Sequence, residues 1–207
     1  MKDRAVSETK QRLLRAGEQL FGTQGYAGTG LKQLSRAADA PWGSLYHFFP
    51  DGKEQLGTEI VAYAGELYRA GLQAGLERYD DPAEAIERVF VGEAKILEAS
   101  DYRNGCPIAS VTLDVASTNE NLRVACASAF RGWLETIALA VSSAGASADD
   151  ATALASFVLS CLEGAIVLSR AAKSPAPLLQ SAKFVRRTVD REAEKWNRAR
   201  RAPRKRS

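Results

Sequence analysis

Apolar residues recur three and four positions apart through most of this chain, and no segment sustains the period-two alternation of a half-buried strand. Leu13, Ala16, Gly17, Leu20 and Phe21 mark one face of a first helix that begins near Ser7 and ends at Gly25. Thr29 is placed to cap a short second helix with Leu31, Leu34 and Ala38 facing inward. Asp39 and Ala40 turn the chain. Pro41 suits the first position of a third helix, where its missing N–H is no loss, and Pro50 stops that helix after Phe49. Asp51 as N-cap, with Glu54 three residues on, opens a helix to about Arg78. Asp81-Pro82-Ala83-Glu84 repeats the device for a helix through Ala99. After a turn at 104–107 the pattern predicts a shorter helix from Ile108, a long one over 118–144 and another from 147–150 to about Ala172. A last helix follows Ser174-Pro175, with Leu178, Leu179, Ala182, Val185 and Val189 on one side. The expected class is all-α, with nine helices.

Chemistry is limited more by what is missing. A single histidine, His47, leaves no imidazole cluster for zinc and no His-based triad with a spare base. Gly28-Thr29-Gly30 lacks the third glycine of a dinucleotide loop, and Gly52-Lys53-Glu54 lacks the Ser/Thr of a P-loop. No cofactor, metal site or catalytic residue is expected, so an enzyme is the remote reading. Cys106, Cys126 and Cys161 form no CxxC pair. Residues 1–12 are charged throughout, without the apolar core of a secretory signal. The most apolar stretch, 152–168, is broken by Glu163 and reads as a buried helix rather than a membrane span. A cytoplasmic protein is the default.

The net charge of +3 is unevenly spread. Residues 1–56 carry 8 Lys/Arg against 6 Asp/Glu, residues 57–182 carry 9 against 16, and residues 183–207 carry 11 against 3. Basic ends favour nucleic acid, whereas an acidic middle is repelled by phosphate. The plain reading of the tail, 198–207, is a solvated end.

The informative stretch is 25–56. A helix, a tight turn and a short second helix with polar residues at its start form the helix-turn-helix arrangement. Its second helix must be supported from behind so that its first residues can enter a major groove about 12 Å wide. Leu45 and Phe49 supply that support, while Trp42, Gly43, Ser44, Tyr46 and His47 stay on the outward side. Gly43 permits close approach, Ser44 and Tyr46 offer hydroxyls, and Lys53 places a charge at a helix start already suited to an anion.

Leu20-Phe21, Gly25-Tyr26, Thr29, Leu34, Ala37-Ala38, Gly43-Ser44-Leu45-Tyr46, Phe49-Pro50 and Lys53-Glu54-Gln55-Leu56 resemble the N-terminal signature of TetR-type transcriptional regulators. Gly52, which looks inserted before the lysine, and Gly105-Cys106-Pro107-Ile108-Ala109 with Leu113-Asp114 are similar to the LmrA/YxaF-like branch. The resemblance implies a DNA-binding domain over 1–56 and a ligand-binding and dimerisation domain over 57–207. It implies a homodimer on a palindromic operator of double-stranded DNA, released when a small inducer, mostly apolar or aromatic, binds the body. Thr29, Pro41, Trp42, Gly43, Ser44, Tyr46, His47 and Lys53 match positions that contact DNA in the family. The chain departs from the pattern at Trp42, where the branch usually has a basic residue, and at Gly30, where Ser/Thr is common. It departs again at Asp39, which replaces a turn glycine, and at Phe48, which replaces a phosphate-binding histidine or tyrosine. Trp42 has two readings, an apolar reader of sugar or thymine methyl and a shield for the module's own core.

Beyond residue 56 the signal weakens. Phe130, Trp133, Leu134 and Ile137 form one helical stripe and Phe157, Cys161 and Leu162 another, which are core by the plain reading and cavity lining by the functional one. With Phe90, Cys106 and Ile108, the residues Phe130, Trp133, Phe157 and Cys161 are the candidate inducer contacts, and Glu66, Glu93, Asp114 and Glu163 the candidate polar handles. Ala151, Ala155, Gly164 and Ala165 would let helices approach closely in a four-helix dimer interface with the last helix. The rival function is a small-molecule binding protein whose N-terminal module no longer holds DNA.

Overall fold

The structure is a computed structural model that describes the backbone of residues 2–201 and the side chains of residues 8–198. Among the described residues there are nine α-helices and no strand, as the periodicity predicts: α1 Lys2–Gln24, α2 Leu31–Ala37, α3 Trp42–Phe48, α4 Lys53–Leu76, α5 Pro82–Ala99, α6 Pro107–Val115, α7 Glu120–Ser142, α8 Ala148–Ala172 and α9 Ala176–Arg201. Local chemistry sets several boundaries. Asp81 caps α5 by accepting from Ala83 N–H at 3.0 Å, and Pro82 sits in its first turn. Ser147 caps α8 by accepting from Asp150 N–H at 3.2 Å. α1 opens at Lys2, earlier than its apolar face predicts, and α4 stops at Leu76. The basic tail lies almost wholly outside the described side chains.

The contacts divide the chain into two compact units. Met1–Tyr68 and Arg103–Arg131 form the first. Its core holds Leu13, Phe21, Leu34, Leu45, Phe49, Leu56, Ile60, Ile108, Val111 and Leu122, all nearly inaccessible. α6 lies against α1, and Gly105 N–H donates to Gly22 O at 2.9 Å, so residues far along the chain complete the N-terminal module.

Arg69–Tyr102 and Gly132–Ser207 form the second unit, in which α5 packs against α8 and α9 and α8 against α9. Ile86, Phe90, Ile137, Val141, Ala155, Leu178, Ala182, Val185 and Val189 are its buried centre. Ser169, fully buried, accepts from Leu178 N–H at 3.3 Å and ties the start of α9 to the end of α8. The stretch read as a buried helix is only partly so, since 44% of the most apolar window of α8 is buried. Phe157, Val167 and Leu168 are exposed, and on α9 Leu179 and Phe184 are too. Ala151, Ala155 and Ala165 are buried within the single chain, so of the four small residues only Gly164 stands on an exposed surface.

Candidate functional site

The turn between α2 and α3 is built from hydrogen bonds that end one helix and aim the next. Asp39 N–H donates to Arg36 O at 3.1 Å and Ala40 N–H to Ser35 O at 3.0 Å, the paired bonds of a Schellman motif. That motif needs a left-handed residue after the C-cap, and Asp39 takes the place with φ 46°. Its carbonyl and its neighbours' are held by side chains. Arg12 on α1 donates from Nε to Ala38 O at 3.1 Å and from Nη2 to Asp39 O at 3.0 Å, while Ser35 Oγ donates to Ala40 O at 2.7 Å. Arg12 and Ser35 escaped the sequence reading because their partners are backbone oxygens, which leave no mark in residue spacing.

From this turn α3 projects with its back wholly buried at Leu45 and at its C-cap residue Phe49. Burying each contributes about 1.5–3 kcal/mol, which holds the back of the helix in the core and leaves the opposite face outward. On that front Trp42 is 42% and Tyr46 46% exposed, one helical turn apart, their ring centroids 5.3 Å apart edge to face. Pro41, Gly43 and His47 are exposed and Ser44 is half-buried. A Cβ at Gly43 would meet nothing within 4 Å, so nothing within the chain calls for the missing side chain there. Trp42 shields little of the module's core, because its indole stands out beside Tyr46. Pro41 is the N-cap, one residue outside the helix it was expected to start.

Two further expectations are corrected. Thr29 does not cap α2; Gly30 does, without a side-chain bond. The Thr29 hydroxyl, 1% exposed as a residue, donates to Gly25 O at 2.6 Å and is spent inside the module. Asp51 and Glu54 do not form the predicted capping pair. Gly52, with φ 77°, pushes the start of α4 on by one residue, so Gln55 Oε1 accepts from Asp51 N–H at 3.1 Å. Glu54 instead accepts from Asn119 at 2.9 Å and Asn121 at 2.7 Å, and those bonds, Asn121's first, hold its carboxyl below the usual range. Asp114, a candidate polar handle, accepts from Ala27 N–H through Oδ2 at 3.0 Å and so steadies the α1–α2 turn. Lys53 rests half-buried with its ammonium 4.3 Å over the Tyr26 ring. Burial lowers its pKa, and the Asp114 carboxylate opposes that shift.

The seven inducer candidates fall in different units. Cys106, Ile108 and Phe130 belong to the first, and Phe90, Trp133, Phe157 and Cys161 to the second. Cys106 is buried and caps α6, its sulfur accepting from Ala109 N–H at 3.3 Å. Phe90 and Ile108 are fully buried, Trp133 nearly so, and Phe130 and Cys161 are half-buried. Phe157 departs from its stripe, since Leu162 faces the core while Phe157 is 43% exposed. Glu93 is half-buried, and burial raises its pKa; Glu66 is exposed and Glu163 half-buried. A cavity of about 340 Å³ in the second unit opens between the ends of α4 and α7, lined by Arg69, Leu76, Tyr79, Thr136 and Leu139 among others. None of the seven candidates lines it. No group of three or more His, Cys, Asp or Glu able to hold a metal occurs among the described residues.

Residues 13–60 match the tetR family of bacterial regulatory proteins. Residues 82–184 match the C-terminal domain of LmrA/YxaF-like transcriptional regulators. The chain is 34% identical over 172 residues to the uncharacterized HTH-type transcriptional regulator YxaF of Bacillus subtilis, covering 83% of this chain and 90% of that one. It is also 34% identical over 175 residues to the HTH-type transcriptional regulator LmrA of the same organism, covering 84% and 93%. The crystal structure of a regulatory protein TetR from Rhodobacter sphaeroides superposes with a TM-score of 0.77 at 23% identity, covering 86% of this chain and 96% of that one. On these grounds the chain belongs to the TetR family of bacterial regulatory proteins, with a C-terminal domain of the LmrA/YxaF-like kind, and is a DNA-binding transcriptional regulator rather than an enzyme.

Proposed function

We propose that the protein is a cytoplasmic homodimeric repressor that holds a palindromic operator through two copies of residues 1–56. It leaves the operator when a small, mostly apolar or aromatic inducer binds residues 57–207. The observation that carries the DNA half of this reading is the front of α3. Trp42, Gly43, Tyr46 and His47 stand exposed on a helix whose back is locked by Leu45 and Phe49. An N-terminal edge of that shape and chemistry fits a major groove. Pro41, Ser44 and Lys53 flank it as phosphate or sugar contacts, and Thr29 holds the preceding loop from behind. Dimerisation is supported by the exposed apolar side chains of α8 and α9, Phe157, Leu168 and Phe184 foremost, with Gly164 on the same face as Phe157 and Leu168. Two-fold related modules would then read two half-sites about one helical turn, or a multiple of it, apart. The inducer half rests on aromatic, aliphatic and thiol side chains proposed as contacts, each taken within its own unit: Phe90, Trp133, Phe157 and Cys161 in the second and Cys106, Ile108 and Phe130 in the first.

The test is selection of bound fragments from sheared DNA of the source organism, with a Tyr46→Ala, Lys53→Ala double variant as control. Enrichment of an inverted repeat by the wild type alone is the expected result. No enrichment at low salt, where several phosphate contacts should bind most tightly, would leave a small-molecule binding protein as the better reading.

A further inference from the structure

We infer that Arg12 is a positioning residue for DNA readout: from α1 it clamps the strained turn that aims α3, and this clamp stands in for the glycine the turn lacks. The inference rests on the DNA-binding reading above and adds a residue that touches no DNA itself.

Three consecutive carbonyls, those of Ala38, Asp39 and Ala40, make up the turn, and each is held by a side chain. Two of the three bonds come from Arg12. Its partners are 26 and 27 residues away in sequence, so it fastens to α1 the turn that leads from α2 into α3. The planar guanidinium donates in two fixed directions, which sets an angle as well as a distance. The angle is at risk because Asp39 holds φ 46°, a left-handed region that glycine enters freely and that aspartate, though better suited to it than most residues, enters at some cost. The turn also lies directly before the exposed front of α3, since only Ala40 and Pro41 separate Asp39 from Trp42. A small swing of this hinge moves Trp42 and Tyr46, while Leu45 and Phe49 hold the back of the helix in the core.

A positioning role predicts a different pattern from a phosphate contact. Losing a phosphate contact, which a substitution removes from both subunits of the dimer, weakens all duplexes alike and reduces the salt slope by about two. Losing the clamp lets α3 sample wrong angles, which harms only contacts that demand alignment. Arg12→Gln is therefore expected to lower affinity for the selected inverted repeat about tenfold, the scale of one lost base contact. Affinity for an unrelated duplex and the salt slope should stay as in wild type. Arg12→Lys, which retains a single donor group, should fall between. Asp39→Gly in the Arg12→Gln background should restore most of the loss, because glycine removes the strain the clamp resists.

The experiment pairs these binding titrations with amide hydrogen exchange on the DNA-free full-length protein. Faster exchange at the Ala40 amide and along α3, with α8 unchanged and the pattern of affinities above, supports the inference. Unchanged exchange at the turn overturns it whatever the DNA data show. An equal loss on both duplexes with a shallower salt slope also overturns it and makes Arg12 a phosphate contact. Failure of the wild type to enrich any duplex is seen without the variants; it refutes the DNA reading and takes the role of Arg12 with it.

Discussion

Gly25→Ala separates two demands that meet at one backbone position. Gly25 ends α1 with φ 75°, and a Cβ there would overlap Asp114 Oδ2, the oxygen that accepts from Ala27 N–H. An alanine forced into this left-handed conformation costs about 1–2 kcal/mol. Pushing the Asp114 carboxylate off Ala27 forfeits a hydrogen bond worth about 1 kcal/mol. Gly25→Ala should then destabilise the protein by about 2–3 kcal/mol, and Asp114→Ala alone by about 1 kcal/mol. In the double variant the bond can be lost only once, so the total stays at about 2–3 kcal/mol instead of the ~3–4 kcal/mol of independent effects. Urea unfolding of the full chain, at one protein concentration and with unchanged m-values, measures all four corners of the cycle. Additive losses, agreeing within about 0.5 kcal/mol, would refute the shared contact. If Gly25→Ala were harmless in the Asp114→Ala background, the strain argument at φ 75° would be refuted instead.

Trp42→Ala should shift base preference at one operator position, by about 1–3 kcal/mol between bases, measured by binding to single-position operator variants. An equal loss on every variant would make Trp42 a scaffold residue. Phe184→Glu, at a side chain 66% exposed, should halve the mass seen by light scattering while helicity persists. An unchanged mass would place the dimer contact elsewhere. Burial holds the Glu93 carboxyl above its ordinary value of 4.5, so the folded chain keeps that proton more readily than the unfolded one. Stability then falls as pH rises from about 4.5 through the raised value and stays reduced above it. Glu93→Gln should raise Tm by about 2–4 °C at pH 7.5, the scale of ~1 kcal/mol in a chain of this size. The gain should vanish below pH 4.5; a pH-independent effect would refute it.

Helix type and order were legible because local chemistry decides them. Asp81-Pro82 caps α5 where the sequence places the cap, α5 ends at the predicted Ala99, and α8 starts within the predicted 147–150. The same rules slipped where two residues competed for one place. Thr29 is the better capping type, yet the chain turns one residue later, and its hydroxyl finds Gly25 O. Gly52 similarly displaces the start of α4, so that Gln55 reaches back instead of Glu54. Side-chain direction was legible on α3, where only one face can meet the core. On α8, apolar residues surround much of the helix, so periodicity does not tell Leu162, facing inward, from Phe157, facing out. Contacts such as Arg12 with Ala38 and Asp114 with Ala27 span 26 and 87 residues and involve backbone atoms. A single sequence carries no trace of such pairs.

The chemistry proposed to read DNA ends near Lys53, but the packing that holds it does not. α6 lies on α1, Gly105 reaches Gly22, Asp114 steadies the α1–α2 turn, and Asn119 and Asn121 hold Glu54 at the start of α4. Ile60 and Leu122, both fully buried, lie beyond residue 56 but in the same compact unit as Leu45 and Phe49. A piece cut at residue 56 would keep the outward residues and lose much of what fixes their angle. It would also fall in the size range where a single hydrophobic core is marginal. The functional boundary and the packing boundary therefore differ for a physical reason. One long helix and two short ones can present a reading edge, but burying their backs and satisfying the backbone groups at their turns takes side chains from α4, α6 and α7.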